Sequence, residues 1–500
     1  MQKSNLAIRS AGYTYLIDQL GFTGMPNWHQ SYISATSIQH LKQHGNIIEE
    51  LYRSSHWPGD KLVDHLEFAL KYDGVNLALL SRIFEYLPEK ELAEYIQSKP
   101  TSKYARRIWF FYEFLTGRKL AIDDLLYGNY VDALDQDKYY TLRKGEKSSR
   151  QRINNNLLGP TSFCPIIRKT EVLSLMEKDD LRQRCETMLA NYSPELLRRA
   201  TSYLYNKETK SSFEIEHIAP DTSKIEKFIT ILKLAEIEDY VDKDRLIEIQ
   251  HSIVDPRFKD IDYRSSQNYV GQTLAFHKEV IHYICPKPQD LHALMSGLME
   301  SHQKMKKSQI SAIIHATVIA YGFVYLHPFE DGNGRIHRFL IHNILAQKGI
   351  LPAGIMFPVS AVMLKHSADY DASLEAFSQP LLQLVEYSLD DIGQMTVVND
   401  TACWYRFVDL TMQAEALYAF VIKTIDDEME VELKFLSSYD QAKKRIQSIV
   451  DLPDRLIDLF IHLLTQNNGK LSTGKKSTHF NMLTDNEIEA MERAVKDSFG

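Results

Sequence analysis

This 500-residue chain has few cysteines and none in close pairs: Cys164, Cys185, Cys285 and Cys403 are scattered. That spacing excludes a zinc ribbon and a disulfide framework, and it suits a reducing compartment. Long hydrophobic runs are also missing. No stretch approaches the roughly 20 uncharged apolar residues of a membrane span. The nearest, 308–326, carries Ser308, Gln309, Ser311, His315 and Thr317 and reads as a core helix. A basic excess is absent: 58 Lys and Arg stand against 66 Asp and Glu, a formal charge of -8. A nucleic-acid partner is therefore not expected. The opening "MQKSNLAIRSAGYTYLIDQL" is amphipathic and lacks the apolar centre and cleavage site of a signal peptide, so a cytoplasmic location is expected. Internal repeats and low-complexity tracts are not seen, and period-two strand patterns are scarce.

What is present is ordinary for a globular protein: 44% hydrophobic and 25% charged residues. The length exceeds what one core supports, so two or three domains are expected. Most segments repeat apolar residues at three-and-four spacing, among them "KYARRIWFFYEFL" and "SPELLRRATSYLYNKE". In the second, Ser193 caps the helix, Pro194 takes its first position and Glu195 its first turn. The clearest alternation, 268–284, predicts a short hairpin. Polar, turn-rich stretches at 144–165 and near 391–400 suggest boundaries. These give an N-terminal helical domain over 1–150, a linker and connecting helix over 151–195, a core over 196–390, and a C-terminal helical extension over 391–500. In the last, a basic turn between helices leaves room for a small winged-helix-like module.

One stretch breaks this pattern. "HPFEDGNGRIHR", residues 327–338, follows an almost wholly apolar helix and runs into "FLIHNILAQKG". Gly332 and Gly334 permit unusual backbone angles, and a helix is expected from Arg335, with Ile336, Phe339, Leu340 and Ile344 on one face and Gly349 as its stop. A helix N-terminus after a Gly-Asn-Gly turn is an anion cradle. Arg335 and Arg338, at i and i+3, add two guanidiniums suited to a polyphosphate. Asp331 supplies a hard oxygen for Mg²⁺. His327, with a reference pKa of about 6.5, can accept a hydroxyl proton. Together these read as a phosphoryl- or nucleotidyl-transfer site.

The stretch resembles the Fic motif, His-x-Phe-x-(Asp/Glu)-Gly-Asn-Gly-Arg-x-x-Arg, at every specified position. A chance match is on the order of 10⁻¹⁰ per start site. The resemblance covers about 200–390. It implies a mainly α-helical Fic (fido) core with a short β-hairpin flap, flanked by helical regions. It further implies an AMP transferase using ATP with Mg²⁺, acting on a hydroxyl of a target protein. By position, His327 would be the base and Asp331 the metal-side acid. Gly332, Asn333 and Gly334 would form the anion nest, and Arg335 and Arg338 would hold the β- and γ-phosphates. Phe329 would anchor the loop in the core. An intact Gly334 favours adenylylation over the kinase-like branch, where Lys commonly replaces it.

Two companion segments carry the resemblance further. "KSSFEIEHIAPD", 210–221, is similar to the family's inhibitory helix, (Ser/Thr)-x-x-x-Glu-(Gly/Asn). Ser212 and Glu216 fit, and His217 stands where Gly or Asn is usual. Residues 263–298 sit where the flap is found. Tyr370, in "KHSADYDASLEAF", is a candidate contact to the nucleotide base, against the commoner role of a packed aromatic. "GKLSTGKKS", 469–477, falls short of a P-loop, because Lys476 replaces the Ser/Thr and a helix precedes it. His315, His337 and His342 show no metal-binding spacing and are expected in packing. Two other readings stay open. One is a hydrolase removing AMP at the same site; the other is a regulatory or toxin–antitoxin binding protein with a DNA-binding C-terminal module. The oligomeric state is also open, a homodimer among the options.

Overall fold

A computed structural model describes residues 8–34, 40–274, 278–352 and 354–500. The chain is mainly helical and divides into two compact units. The first comprises Met1–Lys178, Glu226–Lys348 and His366–Tyr418; the second comprises Asp179–Ile225, Gly349–Lys365 and Ala419–Gly500. Among the described residues, no helix is long and apolar enough to cross a membrane.

The first unit opens with a sheet that the sequence did not disclose. Strands Ile8–Ala11, His29–Ser34, His40–His44 and Ile47–Arg53 pair in the order first, second, fourth, third. The second and fourth run parallel, and the outer pairs are antiparallel. Its buried polar groups hide the alternation. Ser31 is fully buried and donates to Asp73, whose carboxylate also faces His29 and accepts from the Tyr13 N–H at 3.0 Å. The helices Leu77–Tyr86 and Lys103–Thr116 follow, capped by Asn76 and Ser102. A three-stranded sheet joins Val131–Asp132, Glu146–Ser148 and Ile153–Asn155, the last two lying in the turn-rich stretch.

Three helices build the part of this unit that carries the motif. Pro288–Lys306 packs on Ala312–Leu326, which packs on Asn333–Gln347. The middle helix is buried on nearly every side, as its uniformly apolar sequence requires. It stops at His327 because Pro328 follows: proline has no N–H for the ladder and disfavours right-handed helical angles at the residue before it. The expected hairpin forms from Tyr269–Leu274 and Lys278–Ile284, antiparallel, with a bulge at Val270 and Gly271. The tip of the expected hairpin, 275–277, lies outside the described residues, as does the beginning of the amphipathic opening. The Tyr283 hydroxyl donates to the Tyr325 carbonyl and fastens the hairpin to the apolar helix.

In the second unit, Pro194–Glu214 is one continuous helix, capped by Ser193 with Pro194 in its first turn. It packs against Val359–Lys365 and Glu430–Ile449. Its Glu208 is buried and is satisfied by the Ser360 N–H at 2.8 Å and the Ser360 hydroxyl. The last four helices, Glu430–Ile449, Asp454–Gln466, Thr473–His479 and Asp485–Phe499, close their own core around Ile446, Phe460, Ile461, Phe480 and Met491. The basic stretch 469–477, read as a turn, contains the start of a helix capped by Ser472.

Candidate active site

The apolar helix delivers His327 at its C-terminus in the left-handed conformation, φ 49° and ψ 57°. Its N–H still closes the helix on the Phe323 carbonyl at 2.9 Å. The ring is half-buried, with Nδ1 lying 3.3 Å from the Val324 carbonyl. A carbonyl only accepts, so Nδ1 carries the proton and Nε2 presents its lone pair. Removal from water pushes the His327 pKa down to about 4, helped by the positive charge of Arg264; the Val324 carbonyl and the nearby Asp331 carboxylate oppose the shift. The imidazole is therefore neutral at pH 7.

The loop to the next helix is held by its own asparagine. Asn333 Oδ1 accepts from the Phe329 N–H at 3.1 Å, and its Nδ2 donates to the Phe329 carbonyl at 2.7 Å. Phe329 is fully buried, with its ring near those of Phe323 and Tyr263. From outside the motif, Asp260 Oδ2 accepts the Glu330 N–H at 3.1 Å, and Gln250 Nε2 donates to that same oxygen at 3.1 Å. Only Gly332 within the motif needs glycine for its backbone: its φ is 93°, and a Cβ there would lie 3.1 Å from Val254 Cγ1. The helix begins at Asn333, two residues earlier than expected, so Gly334 lies in its first turn rather than in an irregular nest. A Gly334 without side chain still leaves the first-turn N–H groups approachable.

Arg335 departs from the sequence expectation. Instead of reaching outward it is buried, donating to Asp331 Oδ1 at 2.7 Å and to the Ile253 carbonyl at 2.8 Å. Asp331 Oδ1 also accepts the Gly332 N–H at 2.6 Å, while Oδ2 accepts no hydrogen bond among the described residues. Arg338 is equally buried, and its charge helps depress the pKa of the adjacent His337. His337 is sealed beneath the helix, 4.8 Å from the Tyr321 ring, and burial pushes it down to about 3. Tyr370 is also buried, its ring 6.1 Å from that of His337, which gives it a packing partner. Ser212 is buried near the end of its helix. The helix stops at Glu214, so Glu216 sits half-buried in the turn beyond it. His217 has φ 56°, the conformation that the Gly or Asn of the resembling pattern adopts readily.

Sequence reasoning missed Arg264. Its Nε donates to the His327 carbonyl at 2.8 Å, Nη1 to the Ser266 carbonyl at 2.7 Å and Nη2 to the Pro286 carbonyl at 2.6 Å. Its backbone N–H donates to the Pro328 carbonyl at 2.8 Å. Nothing in the spacing of "DYRSSQ" marks it, because these partners are separated from it by up to 64 residues of chain.

A divalent cation fits these residues in one way. Among the described residues, no group of three or more His, Cys, Asp or Glu could hold a metal. The available oxygen is Asp331 Oδ2, and one carboxylate completed by phosphate oxygens and water is how Mg²⁺ is commonly held.

Residues 240–345 match the Fic/DOC family, and the chain carries a Fic/DOC-family domain there. Two similar curated proteins are both named protein adenylyltransferase Fic. The one from Aedes aegypti is 29% identical over 117 residues, 23% of this chain and 21% of its own. The one from Nematostella vectensis is 33% identical over 95 residues, 19% of this chain and 20% of its own. The chain thus spans about a fifth of the length of these relatives. A crystal structure of a Fic family protein from Desulfovibrio desulfuricans G20 aligns at 17% identity with a TM-score of 0.37, covering 66% of this chain and 90% of that one. Ser212, Glu216 and Tyr370 lie outside the matched residues.

Proposed function

We propose that this chain is a protein adenylyltransferase, moving AMP from Mg·ATP to a hydroxyl side chain of a target protein. The observation that carries the reading is His327 itself: a neutral imidazole with its Nε2 lone pair presented, set at a helix end directly before an anion-cradling helix N-terminus. The target hydroxyl gives its proton to Nε2 as its oxygen bonds to the α-phosphorus. The bond from that phosphorus to the bridging oxygen breaks, and pyrophosphate leaves. A base held near 4 is weak at pH 7, so the proton moves late, once P–O bond formation has acidified the hydroxyl. Arriving phosphates would also raise the basicity of the ring.

The N–H groups from Asn333 and Gly334, at the positive end of the helix, would bind the phosphates with Arg338, and with Arg335 once ATP competes for its pairing. Bound at Asp331 Oδ2, Mg²⁺ would neutralise phosphate charge. Gly332 sets the turn that aims this cradle. Tyr370 is proposed for the base end of the nucleotide. For Ser212 and Glu216 the inhibitory role rests on resemblance and chemistry: a carboxylate opposite the second arginine would take the place of the γ-phosphate and exclude ATP. A cytoplasmic location belongs to the same reading.

The test is incubation of the protein with ATP labelled at the α- or γ-phosphate. Label on protein from the α position, enhanced in Glu216→Gly, is expected. Label from γ alone would mean a kinase-like reaction and defeat the proposal. Unchanged transfer and ATP affinity in Glu216→Gly would remove the inhibitory role only.

A further inference from the structure

The left-handed backbone at His327, φ 49°, is costly for a residue with a Cβ. Such conformations persist where surrounding contacts over-determine them. Here one residue from outside the motif contributes several of those contacts. Arg264 bonds two successive carbonyls, that of His327 through its side chain and that of Pro328 through its backbone N–H. The same guanidinium holds the Ser266 and Pro286 carbonyls, at the two roots of the hairpin.

Arg264 is 4% exposed, and all three of its side-chain bonds go to neutral carbonyls rather than to a carboxylate. A buried cation without an ion pair is expensive, and a scaffold seeking stability alone would be served by apolar packing. Lys could supply the charge but not three donors in a fixed fork.

We infer that Arg264 is a positioning residue of this site, locking the two successive carbonyls of His327 and Pro328 and tying them to the base of the hairpin. Its charge also helps keep the imidazole neutral. It touches no reacting atom; it fixes where Nε2 points. The inference rests on the adenylyl-transfer reading for its kinetic arm and on geometry alone for its spectroscopic arm.

The test uses the full chain as Arg264→Lys and Arg264→Met, with folding checked by melting temperature. Loss of alignment by an ångström is worth about 100-fold in rate. Turnover in Arg264→Met is therefore expected to fall about 100-fold, with ATP affinity unchanged within twofold and partial recovery in Arg264→Lys. The Cε1–Hε1 NMR signal of His327, assigned by its absence in His327→Ala, is expected to move and broaden in both variants. Should Arg264→Met not fold, Arg264→Lys carries both arms. Turnover within threefold of wild type in a folded variant, or ATP affinity falling in step with turnover, would overturn the inference. So would an unmoved His327 signal. Wild-type protein that transfers no AMP would defeat the functional reading, and the NMR signal would then decide the positioning role by itself.

Discussion

Replacing Asn333 by Ala should loosen the loop that follows the imidazole, by an amount the structure allows one to work out. The Asn333 amide satisfies both the N–H and the carbonyl of Phe329, at 3.1 and 2.7 Å. Both residues are buried, so water cannot readily take its place. Each buried backbone group left unsatisfied costs about 1–3 kcal/mol, and Ala regains a few tenths through its better helix propensity. The net is about 2–5.5 kcal/mol in local stability. With a factor of ten for every 1.4 kcal/mol, exchange of the Phe329 amide should accelerate about 30- to 8,000-fold. Hydrogen exchange resolved to this peptide is the right assay, because a chain of two units does not yield one unfolding free energy. Asn333→Asp, which keeps the acceptor but not the donor, should fall between. Acceleration of less than threefold in Asn333→Ala would show that the amide does not hold the loop.

Three other expectations follow from the same geometry. Gly332→Ala meets both an unfavourable φ of 93° and a methyl 3.1 Å from Val254. It should cost roughly 2–5 kcal/mol locally and weaken binding of an ATP analogue, measured by calorimetry. His327→Ala should leave nucleotide binding intact and lower transfer by about 10²–10⁴, with kcat the parameter that falls. Acidification should destabilise the fold: the His337 ring, held near 3 when folded, refuses a proton that the unfolded chain accepts near 6.5. Stability is thus lost as pH falls below about 6.5, by about 1.4 kcal/mol per pH unit until about 3, and His337→Phe should flatten that slope, read from hydrogen exchange of the Asn333–Gln347 helix, corrected for intrinsic rates, between pH 6.5 and 4.

Legibility was uneven, for reasons visible in particular residues. The motif could be read because its parts are contiguous: twelve residues contain the helix end, the turn, the next helix start and the charges. The apolar helix, the Ser193 cap, the Gly349 stop and the 268–284 hairpin were readable because each rests on neighbours in sequence. The N-terminal sheet was not, since Ser31 and His29 face inward to a buried carboxylate and break the apolar alternation that marks a strand. Nor was the pairing of Arg335 with Asp331 foreseen, although the two stand four residues apart; a helix beginning at Asn333 brings the guanidinium back over the loop.

The sequence by itself determined which chemistry is available: an imidazole, a carboxylate, two guanidiniums and glycines, in the order from which the proposed transfer site was read. What it could not determine was the state of those groups. The tautomer of His327 depends on the Val324 carbonyl, and its neutrality depends first on burial and then on the charge of Arg264, sixty-three residues upstream of the ring. The shape of the loop depends on Asp260 and Gln250. Hydrogen bonds and desolvation act through space at about 3 Å, and only folding brings residues so distant in the chain to that range.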